Sequence, residues 1–161
     1  MKKMLTLVLV LAMASLASAA VTMSVSSDTV VQGGNVTISV YSDDDAAYRK
    51  YLDMVTGTAT LGSVTIHPSA GADASVADFS VLPGYYDLEL TAVDFAATPV
   101  AGLHFSVIAT AIGSVGETFT IELLNGDTYD LEMSEMVTIV VPEPMTMALL
   151  SLGGLFLRRK K

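Results

Sequence analysis

From residue 21 onward the hydrophobic positions recur at every second residue, the period of half-buried strands rather than the 3.6 of helices. Val21, Met23 and Val25 fall on one side of a first strand. Val36, Ile38 and Val40 fall on one side of a second, after a Gly33-Gly34-Asn35 turn rich in residues that tolerate positive φ. Residues 84–94 alternate most clearly, with Tyr86, Leu88, Leu90 and Ala92 directed inward and Tyr85, Asp87, Glu89 and Thr91 outward. Leu103, Phe105 and Val107 form another inward row, which directs His104 outward; Phe119, Ile121 and Leu123 form the next, and Val137, Ile139 and Val141 the last. Turn-rich pieces at residues 68–73, 83–84, 98–99, 113–116 and 125–127 separate these runs. In residues 43–54 Tyr48, Tyr51 and Leu52 have helical offsets with Asp45 as a cap, but the YRKYLDMV run favours a strand. No repeat of solenoid length is evident. The pattern predicts an all-β body, an antiparallel β-sandwich over residues 20–140, with a barrel as the alternative closure.

The two ends are different material. Residues 1–19 combine Lys2 and Lys3, an apolar run, and Ala17-Ser18-Ala19, the layout of a secretory signal helix cut after Ala19. The Sec translocon and signal peptidase are the expected partners. Residues 141–161 form a second segment: Pro142-Glu143-Pro144, an apolar run over residues 145–157, then Arg158, Arg159, Lys160 and Lys161. As a helix the run is about 20 Å long against a hydrocarbon core of roughly 30 Å, so it crosses the inner membrane only with thinning or snorkelling by the flanking cations. By the positive-inside rule those cations stay cytoplasmic and the body lies outside.

Pro142-Glu143-Pro144, the apolar segment with Gly153-Gly154 and the four terminal cations resemble the PEP-CTERM sorting signal, over about the last 21 residues. The resemblance implies transient residence in the inner membrane and processing near Pro-Glu-Pro by an exosortase, a membrane-embedded cysteine protease of exopolysaccharide-producing bacteria. The same tail also goes under the name of an ice-binding-protein C-terminal domain, which implies nothing about ice for the body. The two prolines keep the backbone extended, as a protease cleft requires, and Glu143 is the natural recognition side chain. A simple membrane anchor is the alternative, and it leaves Pro-Glu-Pro unexplained.

Charge sharpens this division. The chain of 161 residues carries 17 acidic and 8 basic side chains. Six of the cations sit in the two terminal segments, and only Arg49 and Lys50 lie in the body. A body this acidic lacks the footprint of a nucleic-acid binder. The absence of cysteine excludes disulfides, thiolate metal sites and cysteine nucleophiles.

No G-x-S-x-G, H-E-x-x-H, P-loop or G-x-G-x-x-G pattern occurs in the body, and His67 and His104 sit in ordinary strand contexts, so no catalytic residue is assigned and no cofactor is implied. Asp87 and Glu89 share a strand face, as surface decoration or as a glycosidase-like pair. Asp43, Asp44 and Asp45, with Asp127 from the Asn125-Gly126-Asp127 turn, are candidate calcium ligands, the alternative being a solvated acidic loop. Tyr41, Tyr48, Tyr51 and Tyr85 are candidates for stacking on sugar rings. The strand layout, closing with GETFTIELLNGDTYDL and VTIVV, resembles cohesin-like and related immunoglobulin-like sandwiches of extracellular bacterial proteins. That resemblance is architectural, spans about residues 21–141, and carries dockerin binding over to no residue. The expected function is that of an exported, non-enzymatic cell-surface or matrix protein with a structural or adhesive role, associated with extracellular polysaccharide in a biofilm. The alternative is a glycan- or calcium-binding module.

Overall fold

A computed structural model describes residues 21–80, 86–93 and 99–141. Both terminal segments lie outside the described residues, as do Tyr85 and Asp94. The body is built of β1 (Val21–Val25), β2 (Thr29–Val31), β3 (Asn35–Ser42), β4 (Tyr48–Met54), β5 (Ala59–Ile66), β6 (Ser75–Asp78), β7 (Leu88–Ala92), β8 (Gly102–Ala111), β9 (Thr118–Asn125) and β10 (Leu131–Val140), with a 3-10 turn at Pro68–Ala70. Two sheets face each other. The smaller has the order β1-β3-β8-β5 and the larger β2-β10-β9-β4-β7-β6. Every pairing is antiparallel except that of β2 with β10.

The alternation seen in the sequence fills the space between the sheets. Val36, Ile38, Val40, Phe105 and Val107 enter from the smaller sheet, and Leu52, Leu90, Phe119, Ile121, Leu123 and Ile139 from the larger, each essentially without solvent contact. Burying side chains of this size stabilises by about 1.5–3 kcal/mol each, enough in number to order a body that has no disulfide. Residues 48–54 form a strand, as the YRKYLDMV pattern favours.

Five features depart from simple alternation. The first two strands of the smaller sheet are not joined by a tight hairpin: after Val25 the chain crosses to the larger sheet, forms β2 beside β10, and only then returns. The return uses Gly33 at φ 76 and Gly34, where a Cβ would stand 2.9 Å from the Val31 carbonyl oxygen. In the segment read as inward-facing from Tyr86, the strand begins only at Leu88, and Tyr86 lies outside the core, against Tyr51 and Tyr129. The last strand ends at Val140, leaving Val141 exposed.

His104 is the fourth correction. It is completely buried, because the β3–β8 register shifts so that Val40 pairs with Phe105 but Tyr41 with Leu103. His104 is the extra residue of that bulge, and it turns inward together with Phe105. A second bulge hid β5 from the pattern: between Leu61 and Val64 the register slips at Gly62-Ser63, so both apolar residues reach the core although their spacing is odd.

Candidate functional site

The outer surface of the larger sheet collects the body's unusual side chains. Arg49, Tyr51 and Asp53 project outward from β4, because Lys50 and Leu52 between them lie opposite the inward Leu90 and Leu88. Tyr51 stacks with Tyr86 at 4.9 Å between ring centroids and with Tyr129 at 5.4 Å; Tyr86 and Tyr129 are 5.8 Å apart. The Arg49 guanidinium lies 5.9 Å from the Tyr51 centroid. Its Nη2 donates to the Gly126 carbonyl at 2.7 Å and to Asp127 Oδ1 at 3.1 Å. Tyr129 has φ 62, the one non-glycine residue with positive φ among the described residues, and the residue is 51% exposed. A left-handed tyrosine costs on the order of 1–3 kcal/mol, and the surrounding hairpin holds it there.

Next to this aromatic group runs a row of like charges. Asp53 pairs in register with Glu122 on β9. On its other side stands Asp87, whose Oδ2 accepts the Met54 N–H at 2.9 Å, and Glu89 pairs with Tyr51. Burial pushes the Asp53 carboxyl above the usual carboxylate range, and the charges of Asp87 and Glu122 push it further the same way.

Two polar clusters serve the interior. His104 Nε2 lies 2.7 Å from the Val100 carbonyl oxygen and Nδ1 lies 2.9 Å from the Tyr48 hydroxyl. A carbonyl only accepts, so Nε2 carries the proton and Nδ1 accepts from Tyr48. The Tyr48 ring stacks on His104 at 5.5 Å, and burial pushes its phenol above the ordinary range. At the β9–β10 hairpin, Lys50 pairs in register with Asn125. Lys50 Nζ donates to Glu132 Oε1 at 2.5 Å, and Asn125 Nδ2 donates to the same oxygen at 2.9 Å. Asn125 Oδ1 in turn accepts the Asp127 and Thr128 N–H groups at 2.9 and 3.1 Å. The Lys50 side chain is 7% exposed, and Glu132 sits where the β9–β10 register slips.

The sequence-named residues are dispersed differently. Asp43, Asp44 and Asp45 lie between β3 and β4, where Asp44 Oδ1 accepts the Ala46 N–H at 2.8 Å. Asp127 is engaged by Arg49, and among the described residues no three His, Cys, Asp or Glu side chains are grouped to hold a metal ion. Of the tyrosines proposed for sugar stacking, Tyr41 lies on the smaller sheet, Tyr48 packs on His104, and Tyr51 is 8% exposed beneath its neighbours. His67 is held by Ser106 Oγ at 2.8 Å. An open cleft of about 360 Å³ near Asp87, Ser80 and Met54 holds no histidine. The sequence placed Tyr86 in the core row and did not name Tyr129 or Glu132, although a lysine at an inward position of β4 was a signal that an interior partner had to exist. The sorting and cleavage residues lie outside the described residues, and no helix among the described residues is long and apolar enough to cross a membrane.

No family model matches the chain, and no curated protein matches it in sequence. Among solved structures it is similar to a cohesin module from a family 33 glycoside hydrolase of Clostridium perfringens, with TM-score 0.53 and 14% identity over 78% of this chain and 100% of that one. A non-cellulosomal cohesin from the hyperthermophilic archaeon Archaeoglobus fulgidus gives TM-score 0.49 and 12% identity over 81% and 96%. At this identity the likeness is one of fold: the body is a cohesin-like β-sandwich.

Proposed function

We propose that the chain is an exported, non-enzymatic surface or matrix module that acts by adhesion. Residues 1–19 direct it to the Sec translocon and are removed by signal peptidase after Ala19. Residues 141–161 hold it in the inner membrane until an exosortase acts near Pro142, Glu143 and Pro144, with Arg158, Arg159, Lys160 and Lys161 on the cytoplasmic side. The body then joins the cell surface or its extracellular polysaccharide. The observation that supports an adhesive role is the outer face of the larger sheet, where three stacked tyrosines adjoin aligned carboxylates. Aromatic rings beside uncompensated charge suit a protein partner with a complementary basic surface. The test is fractionation of cells making the full chain, with mass spectrometry of the mature termini. A body outside the cytoplasm beginning at Ala20 and ending near Pro142–Pro144 is expected; an intact Met1 in a cytoplasmic fraction overturns the reading.

A second reading, glycan binding, is favoured by the half-exposed Tyr129 ring beside the Arg49–Asp127 pair, a flat apolar face next to groups that hydrogen-bond vicinal hydroxyls. Titration with the producing cell's exopolysaccharide tests it. Equal binding by the wild type and Tyr129→Ala removes it.

A further inference from the structure

We propose that Lys50 and Asn125 form an intramolecular isopeptide bond, made without any other enzyme, with Glu132 as the proton carrier. The two residues face each other across β4 and β9, and their side-chain nitrogens donate to the same oxygen, Glu132 Oε1, at 2.5 and 2.9 Å. The attacking and the departing nitrogen therefore lie within reach of one carboxylate. The electrophile is polarised as well: Asn125 Oδ1 accepts the backbone N–H groups of Asp127 and Thr128 at 2.9 and 3.1 Å. Two donors aimed at a carbonyl oxygen are what a tetrahedral oxyanion needs. Nucleophile, carbonyl, proton carrier and oxyanion donors thus meet at one hairpin, with the Lys50 side chain 7% exposed and that of Glu132 28%.

The step balances from these groups alone. The Lys50 ammonium gives a proton to Glu132 along their hydrogen bond, and the freed lone pair adds to Asn125 Cγ. The negative charge collects on Oδ1 beneath the two N–H donors. Glu132 then passes the proton to Nδ2 and takes the second one from the new Nζ–Cγ linkage as the Cγ–Nδ2 bond breaks. Ammonia leaves, and an amide joins the two side chains. One C–N bond forms and one breaks, with no oxidation and no co-reactant. The product ties neighbouring strands of the larger sheet covalently, in a chain that has no cysteine to form a disulfide. The inference is independent of where the protein is delivered.

An ordinary ion pair beside a side-chain-capped turn would place the same atoms together, so the test must read the bond itself. The full-length folded chain is digested with chymotrypsin and Glu-C and mapped by mass spectrometry. Peptides containing Lys50 and Asn125 are expected to be joined, with a loss of one ammonia, about 17 Da, from their summed mass. The joined peptide should vanish in Lys50→Met, Asn125→Ala and Glu132→Gln. A folded wild-type chain with Lys50 and Asn125 both unmodified overturns the proposal. An ammonia loss that persists in Lys50→Met overturns it too, since it marks a succinimide at Asn125-Gly126 instead. Glu132→Gln also removes the charge that compensates the buried Lys50 ammonium and lowers Tm with or without a cross-link, so the joined peptide and not Tm is the readout. Wild-type mapping decides the matter even where a variant fails to fold.

Discussion

The two sheets share one core but differ on their outer surfaces. β1, β3, β5 and β8 contain no Asp, Glu, Lys or Arg, whereas β4, β6, β7, β9 and β10 hold Arg49, Lys50, Asp53, Asp78, Glu89, Glu122, Glu132 and Glu135. Across the smaller sheet the register sets Ser24 beside Ser39, Ser39 beside Ser106, and Ser106 beside Thr65, a row of neutral hydroxyls. Across the larger sheet the corresponding outward row sets Asp53 against Glu122, next to Asp87 and the tyrosine group. Like charges facing each other across strands destabilise, and so does a tyrosine in the left-handed region. The smaller sheet sets no like charges against each other across its strands. The larger one retains electrostatic and conformational cost on one surface, the surface proposed above for adhesion.

Substitutions in the carboxylate row of the larger sheet's outer face and at the buried polar contacts of the smaller sheet should therefore act with opposite sign. Of these, the larger effect is expected from the smaller sheet: His104→Leu keeps the apolar volume but strips the Tyr48 hydroxyl and the Val100 carbonyl of their partner. It should cost about 1–3 kcal/mol in urea unfolding. A stability equal to wild type would show that the two His104 hydrogen bonds make no net contribution to the fold.

Asp53→Asn on the larger sheet should stabilise, by no more than about 1 kcal/mol at neutral pH. Folding raises the Asp53 pKa through burial and then through Asp87 and Glu122, so the folded chain binds that proton more tightly than the unfolded one. The stability contributed by this carboxyl is present at pH below its unfolded value and is lost as pH rises through its folded value. Unfolding measured from acid to neutral pH should show the wild type falling behind Asp53→Asn across that window; parallel curves would mean that the carboxylate row is not strained.

The smallest effect on stability belongs to Tyr129→Gly. Relief of about 1 kcal/mol of backbone strain offsets a similar loss of ring stacking, so Tm should move by only a few degrees while partner binding falls. A large drop in Tm with binding intact would make the tyrosine group a structural cap and erase the contrast between the sheets.

Much of the core was legible from period two alone: Val36, Ile38, Val40, Phe119, Ile121, Leu123, Val137 and Ile139 lie where alternation places them. The misreadings fall where an extra residue breaks the period, at His104 and in β5, or where a strand starts late, at Tyr86. A bulge has no mark in single-sequence hydropathy, because it is defined by the partner strand. The outer-face group was only partly visible for the same reason: Tyr51, Tyr86 and Tyr129 are distant in sequence and meet only through the pairing of β4, β7 and β9.

By itself the sequence determined that the body is strand-rich, acidic and free of cysteine, and that its few internal cations lie together at Arg49 and Lys50, because composition and local periodicity are properties of neighbouring residues. Only the tertiary structure decided which strands became neighbours. That choice gathered β1, β3, β5 and β8, which carry no charged side chain, into one sheet and every charged strand into the other, and it brought the Lys50 and Asn125 nitrogens onto one oxygen of Glu132, since contacts between distant residues arise from strand register rather than from position along the chain.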